Sequence, residues 1–215
     1  MEAMIDLLQR PGGRLQHLWS LREDVVVKSE PHTGFLVLTW DRGSVRMGNV
    51  DATVQEALRR MQLGPVLLGN ALAGDEDLDP DATVHLLAQP VFRRLPHLIV
   101  RALGLDDLNG PLLSIAPLAE GEGYPPVVAP LDRGIPLQLV FGLSFAFDGV
   151  SATFEAQSAS HRLVIHRHEA MMVVAMLVRP TPPTSVMTVL PLPAEVTEGI
   201  LRYLVAAGVA AVVPL

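Results

Sequence analysis

No cysteine occurs anywhere in the 215 residues. That absence excludes disulfides, thiol nucleophiles, iron–sulfur clusters and thiolate zinc sites together, although it does not identify a compartment. A basic surplus is missing as well: 16 Lys and Arg stand against 23 Asp and Glu, for a formal net charge of −7. Both halves share the deficit, with eleven bases against fifteen acids up to Leu118 and five against eight after it. Neither half is therefore built for non-specific attraction to phosphate polymers. Despite 49% hydrophobic content, the longest apolar runs, near Met171 to Val178 and Leu204 to Val213, fall short of the roughly 20 residues a membrane span needs. Met1 to Arg10 carry Glu2 and Asp6 where a secretory leader would be basic, so a cytoplasmic location is expected.

Catalytic signatures are missing too. Gly142 Leu143 Ser144 Phe145 Ala146 lacks the second glycine of a nucleophile elbow, so Ser144 reads as a strand residue. Gly64, Gly69 and Gly74 have neither a Walker lysine nor dinucleotide spacing. Asp106 and Asp107 read as a solvated turn at a helix end. The acids between Gly74 and Asp81 lack the glycine and terminal glutamate of a calcium loop, and read as a solvated loop that also caps a helix. His161, His166 and His168 are close in sequence, but no carboxylate stands at clear ligand spacing, and Glu169 is more simply a first-turn helix acid. The expectation is a protein without metal, cofactor or catalytic activity.

What is present is a repeat. Near Val25 begins a series of Val25 to Val27, a turn at His32 Thr33 Gly34, Phe35 to Trp40, a turn at Asp41 Arg42 Gly43, Ser44 to Met47, and an amphipathic run from Asp51 to Leu63. About 120 residues on comes a second series: Leu143 to Phe147, a turn at Asp148 Gly149, Val150 to Glu155, His161 to Ile165, and an apolar run from Glu169 to Val178. Each closes with a longer helical pattern and a short apolar strand, Val91 to Leu105 before Leu112 to Ile115, and Glu195 to Ala207 before Val209 to Val213. Val54, Ala57, Leu58 and Met61 share a helix face, and Phe92, Leu95, Ile99, Ala102 and Leu103 make a stripe that Pro96 should kink or split. Ala170 to Val178 is apolar on every side, which predicts burial between layers or at a subunit contact, most simply in a two-fold dimer.

The expected fold is α+β: tandem winged helix-turn-helix-like modules, each a three-stranded antiparallel meander plus helices. The first module covers residues 1–118, a Pro-rich linker 119–138, and the second module 139–215.

Leu18 to Val27, Ala57 to Val66 and Leu112 to Leu118, followed by Ser144 to Phe147, Leu163 to His166 and Leu204 to Val209, resemble the amino-terminal, non-flavin part of SagB-type peptide dehydrogenases. In that family a flavin domain oxidises azolines in ribosomally made peptides, and the winged modules before it resemble elements that hold precursor peptides. The chain stops at Leu215, where the flavin domain would begin. The resemblance therefore implies a stand-alone peptide-binding relative in a ribosomal peptide natural-product pathway of the crocagin type.

Recognition by strand addition needs an unpaired strand edge beside an apolar groove. By analogy with those elements, Ser44, Val45, Arg46 and Met47 with Arg94, His97 and Arg101 form one candidate groove. Leu163, Val164 and Ile165 with Arg202 and Tyr203 form the other, and the sequence does not choose between them. The expected partners are a ribosomal precursor peptide, tailoring enzymes and a second copy of the chain, without membrane or nucleic acid. Two alternatives stay open: a winged-helix DNA-binding regulator, kept alive by Arg93, Arg94 and Arg101, and an accessory subunit of an azoline dehydrogenase or cyclodehydratase complex.

Overall fold

Residues 13–30, 34–48, 50–69, 87, 89–118, 128–157 and 159–213 are described by the computed structural model. The leader region Met1 to Arg10, the acidic run from Gly74 to Asp81 and residues 119–127 of the expected linker lie outside them. The chain enters through β1 (Leu15–Leu21), a strand that the repeat did not anticipate. Next comes the first expected meander, β2 (Val26–Ser29), β3 (Leu36–Trp40) and β4 (Gly43–Met47), antiparallel in that order. Asp41 and Arg42 make a tight turn that sets Trp40 opposite Gly43. A Cβ at Gly43 would stand 2.9 Å from the Trp40 ring, so glycine lets the indole fold over the hairpin.

Helix α1 (Ala52–Leu63) follows, as its periodicity predicts. Asp51 accepts the Thr53 N–H at 2.8 Å and caps the first turn. Val54, Ala57, Leu58 and Met61 are buried and pack with Leu36, Leu38 and Met47 of the meander.

The run from Val91 to Leu105, expected to be helical with a kink or split at Pro96, is divided there, and its second part is a strand instead of a helix. Helix α2 spans only Pro90–Arg93, Pro96–Leu98 is a 3-10 turn, and Ile99–Leu105 is strand β5. Proline has no N–H for the helix ladder and disfavours a helical residue before it. Beyond it Ile99, Ala102, Leu103 and Gly104 are all buried. A strand buried on both faces loses its alternation, so its apolar spacing imitates a helix stripe.

After β6 (Pro111–Pro117) and β7 (Leu137–Leu139), which falls at the end of the expected linker, comes the second meander: β8 (Leu143–Phe147), β9 (Ala152–Ala156) and β10 (His161–Ile165). Helices α3 (His168–Met176), α4 (Pro183–Val189) and α5 (Ala194–Ala206) precede β11 (Ala210–Val212), which pairs with β7. Strands from both halves of the chain meet in a six-stranded antiparallel sheet of order β1-β5-β6-β10-β9-β8. At the junction Leu113 lies opposite Ile165, and Ile115 opposite Leu163.

Helices α3 and α5 cover one face of this sheet. Val173, Leu177, Ile200 and Leu204 pack in one cluster with Leu103, Leu113, Ile115 and Leu163. Helix α3 therefore buries Ala170, Val173 and Val174 in the chain's own core, and that face serves no subunit contact. Gly199 brings α5 close to β1, since a Cβ there would stand 2.7 Å from Leu15 Cδ2. Among the described residues no helix is long and apolar enough to cross a membrane.

Candidate functional site

The phase of an antiparallel ladder decides which residues aim their backbone groups at a free edge. Trp40 and Gly43 close the two-residue hairpin and so form a hydrogen-bonded pair. Alternation makes Leu38 with Val45, and Leu36 with Met47, bonded pairs as well. Ser44 and Arg46 then turn their N–H and C=O groups away from β3. The Glu30 N–H to Phe35 C=O bond at 2.8 Å gives β2 and β3 a matching phase. On β4 the Val45 side chain is half-buried and Met47 buried against the meander core, while Ser44 and Arg46 are exposed. Arg46 pairs with Glu30 at 2.6 Å, and its guanidinium lies 4.0 Å from the centre of the Phe35 ring.

Two other sheet borders are partly closed by the chain itself. The outward Val27 N–H of β2 donates to Gln62 Oε1 at 2.8 Å. On β1, Trp19 exchanges backbone bonds with Val66, at 2.9 Å in each direction. Among the described residues no strand pairs with the outer sides of β4 and β8.

The second predicted groove is corrected. Leu163, Val164 and Ile165 lie in β10, which pairs with β6 on one side and β9 on the other. Its N–H and C=O groups are used in the sheet, so no strand can add there. The sequence shows the meander but not that β6 returns to pair with its third strand.

Residues assigned to separate grooves also meet. The Tyr203 ring is wholly buried under α5, and its hydroxyl accepts from Arg101 Nε at 3.1 Å and donates to the Ala102 carbonyl at 3.2 Å. His17 Nδ1 is 2.8 Å from the same oxygen, and the His17 and Tyr203 rings stack with centroids 5.8 Å apart. A hydroxyl offers one donor and two acceptor positions, so these partners are all satisfied when His17 carries its proton on Nδ1. Although the residue keeps an exposed side, desolvation of the His17 imidazole where it lies against Tyr203, and after it the Arg101 and Arg202 charges, lowers it to about 4. Burial pushes the Tyr203 phenol up. Arg202 donates to the Ala129 carbonyl at 3.0 Å. Arg101 and Tyr203 thus tie β5 to α5 and do not line the β4 edge. His97 stays with the first meander through an edge contact to Trp40, centroids 5.4 Å apart, and exposed Arg94 caps the end of α2.

The border of β8 was not among the predicted sites. Phe145 and Phe147 are 59% and 64% exposed, and Phe141 and Val150 beside the strand 95% and 85%. A charge-free large–small alternation, Leu143 Ser144 Phe145 Ala146 Phe147, was the signal available in the sequence.

The three neighbouring histidines go separate ways. His161 Nδ1 meets Ser160 Oγ at 2.8 Å, His166 Nε2 meets Ser114 Oγ at 2.9 Å, and exposed His168 faces Glu169 at 3.3 Å. Among the described residues no three His, Asp or Glu side chains gather as a metal-holding group. Ser144 Oγ donates to the Glu155 carbonyl at 3.2 Å within the sheet. Asp107 receives two bonds from Arg167, at 3.0 and 2.8 Å, instead of lying free in a turn. Comparison with models of known families gives no match, and comparison with curated proteins gives none.

Proposed function

We propose that this chain is a non-catalytic binding protein that receives a ribosomally made precursor peptide as an added strand along β4 and presents it to separate tailoring enzymes. The reading takes the two meander-plus-helix halves as winged modules akin to those before the flavin domain of SagB-type dehydrogenases. The observation that carries it is the β4 border, where the outward backbone groups of Ser44 and Arg46 stand beside the half-buried Val45 side chain. Main-chain bonds along such a border supply affinity, and the flanking side chains select the sequence. Holding the peptide near its enzymes raises their effective concentration without any chemistry in this chain.

Calorimetric titration with synthetic ribosomal precursor peptides tests the proposal. Ser44→Pro is the informative variant: proline is tolerated where an edge N–H faces solvent, so the β3–β4 ladder survives while one donor to the peptide is lost. A lost bond of ~1 kcal/mol together with the ring's clash against an added strand should weaken binding by about tenfold or more. Absence of binding by the wild-type chain, equal binding by Ser44→Pro, or a steeply salt-dependent affinity for duplex DNA in place of peptide binding would overturn the proposal.

A further inference from the structure

Strand β8 ends the six-stranded sheet, and among the described residues no strand pairs with its outer border. Monomeric proteins blunt such borders with lysine, proline, bulges or very short strands. Leu143 to Phe147 contains no charge, no proline and no bulge in its pairing with β9. The nearest acid, Asp148, is committed to its own turn. It accepts from the Val150 N–H at 2.9 Å, the Ser151 N–H at 2.7 Å and the Ser151 hydroxyl at 2.8 Å, bonds that hold its carboxyl down to about 2.

The phase of the β8–β9 hairpin follows from the Asp148 N–H to Ser151 C=O bond at 3.2 Å. Alternation assigns the groups bonded to β9 to Ser144 and Ala146, opposite Glu155 and Thr153. Leu143, Phe145 and Phe147 therefore direct their N–H and C=O groups outward, and the same residues carry the large side chains.

We infer that β8 pairs antiparallel with β8 of a second copy of this chain, about a two-fold axis at Phe145, so that two six-stranded sheets become one. The argument for this occupant is self-complementarity. The side-chain sizes of Leu143 Ser144 Phe145 Ala146 Phe147 read the same in both directions. With Phe145 opposite the partner's Phe145, Leu143 falls opposite the partner's Phe147, and Ser144 opposite the partner's Ala146. Large residues meet large, small meet small, and like charges never face each other, as an isologous interface requires. Each outward residue also finds both its backbone partners. Phe145 is already 5.1 Å from Phe154, so the pairing extends an existing aromatic row across the axis.

Sedimentation velocity on the full chain over a range of concentrations tests the inference. The expected result is a concentration-dependent dimer that reverts to monomer in Phe145→Lys, whose exposed position leaves the fold intact, and in Phe145→Pro, which removes an outward N–H only. The sequence has no cysteine, so Phe145→Cys carries a single thiol. It should give a covalent dimer with a short bifunctional thiol cross-linker, while Leu108→Cys, at a site 99% exposed, should not. A wild-type monomer at the highest soluble concentration would overturn the inference, as would a dimer indifferent to both Phe145→Lys and Phe145→Pro. None of these variants touches β4, so failure here is separate from failure of the peptide-binding proposal.

Discussion

Replacing Tyr203 with Phe removes one oxygen from a side chain with no solvent exposure. That oxygen serves Arg101, His17 and the Ala102 carbonyl. A hydrogen bond from a charged donor contributes ~1.5–3 kcal/mol, and each neutral one ~1 kcal/mol. Arg101 is half-buried and His17 exposed, so both regain water in the variant and the sum is not reached. The expected loss is ~2 kcal/mol, or a fall of about 4–8 °C in Tm for a chain of this length. Urea unfolding of wild type and Tyr203→Phe measures it directly. Peptide titration on the same samples should give unchanged affinity, because the hydroxyl joins β5 to α5 and faces no groove. A stability change below ~0.5 kcal/mol would refute the hydrogen-bond reasoning. An affinity loss at unchanged stability would return Tyr203 to the binding surface.

Other outcomes follow from the same geometry. His17 titrates at about 4 in the fold, against 6.5 ordinarily; below 6.5 the unfolded chain takes up a proton that the folded chain refuses. Its contribution is therefore complete above 6.5 and is lost as the pH falls toward 4, and His17→Gln should flatten the urea midpoint across that window. Arg167 bridges Asp107 of the β5–β6 turn and Glu169 of α3. Arg167→Met should strand both carboxylates and cost ~2 kcal/mol in thermal unfolding, whereas a free, solvated Asp107 would leave stability unchanged.

Much of the local structure was legible because short-range physics dictates it. The Asp51 cap and the Val54, Ala57, Leu58, Met61 face announced α1, and tight turns at Asp41 Arg42 and Asp148 Gly149 announced both meanders. What failed was non-local. Ile99 to Leu105 imitated a helix because burial on both faces removed its alternation. Leu15 to Leu21 was passed over because it lies outside the repeat and acquires its partner β5 from about ninety residues away. The site was half legible for the same reason. The β4 border needs only its own hairpin to be recognised, but whether β10 is a border depends on β6, more than forty residues earlier in the chain.

The bonds that join β6 to β10 make the halves mutual templates. Severed after Leu118, each piece would present a bare row of amides and carbonyls to its surroundings, and the ideal cover for either row is the other piece. The chain is therefore suited to fragment complementation, with a reporter divided between the pieces restored only where both are made and the shared seam re-forms.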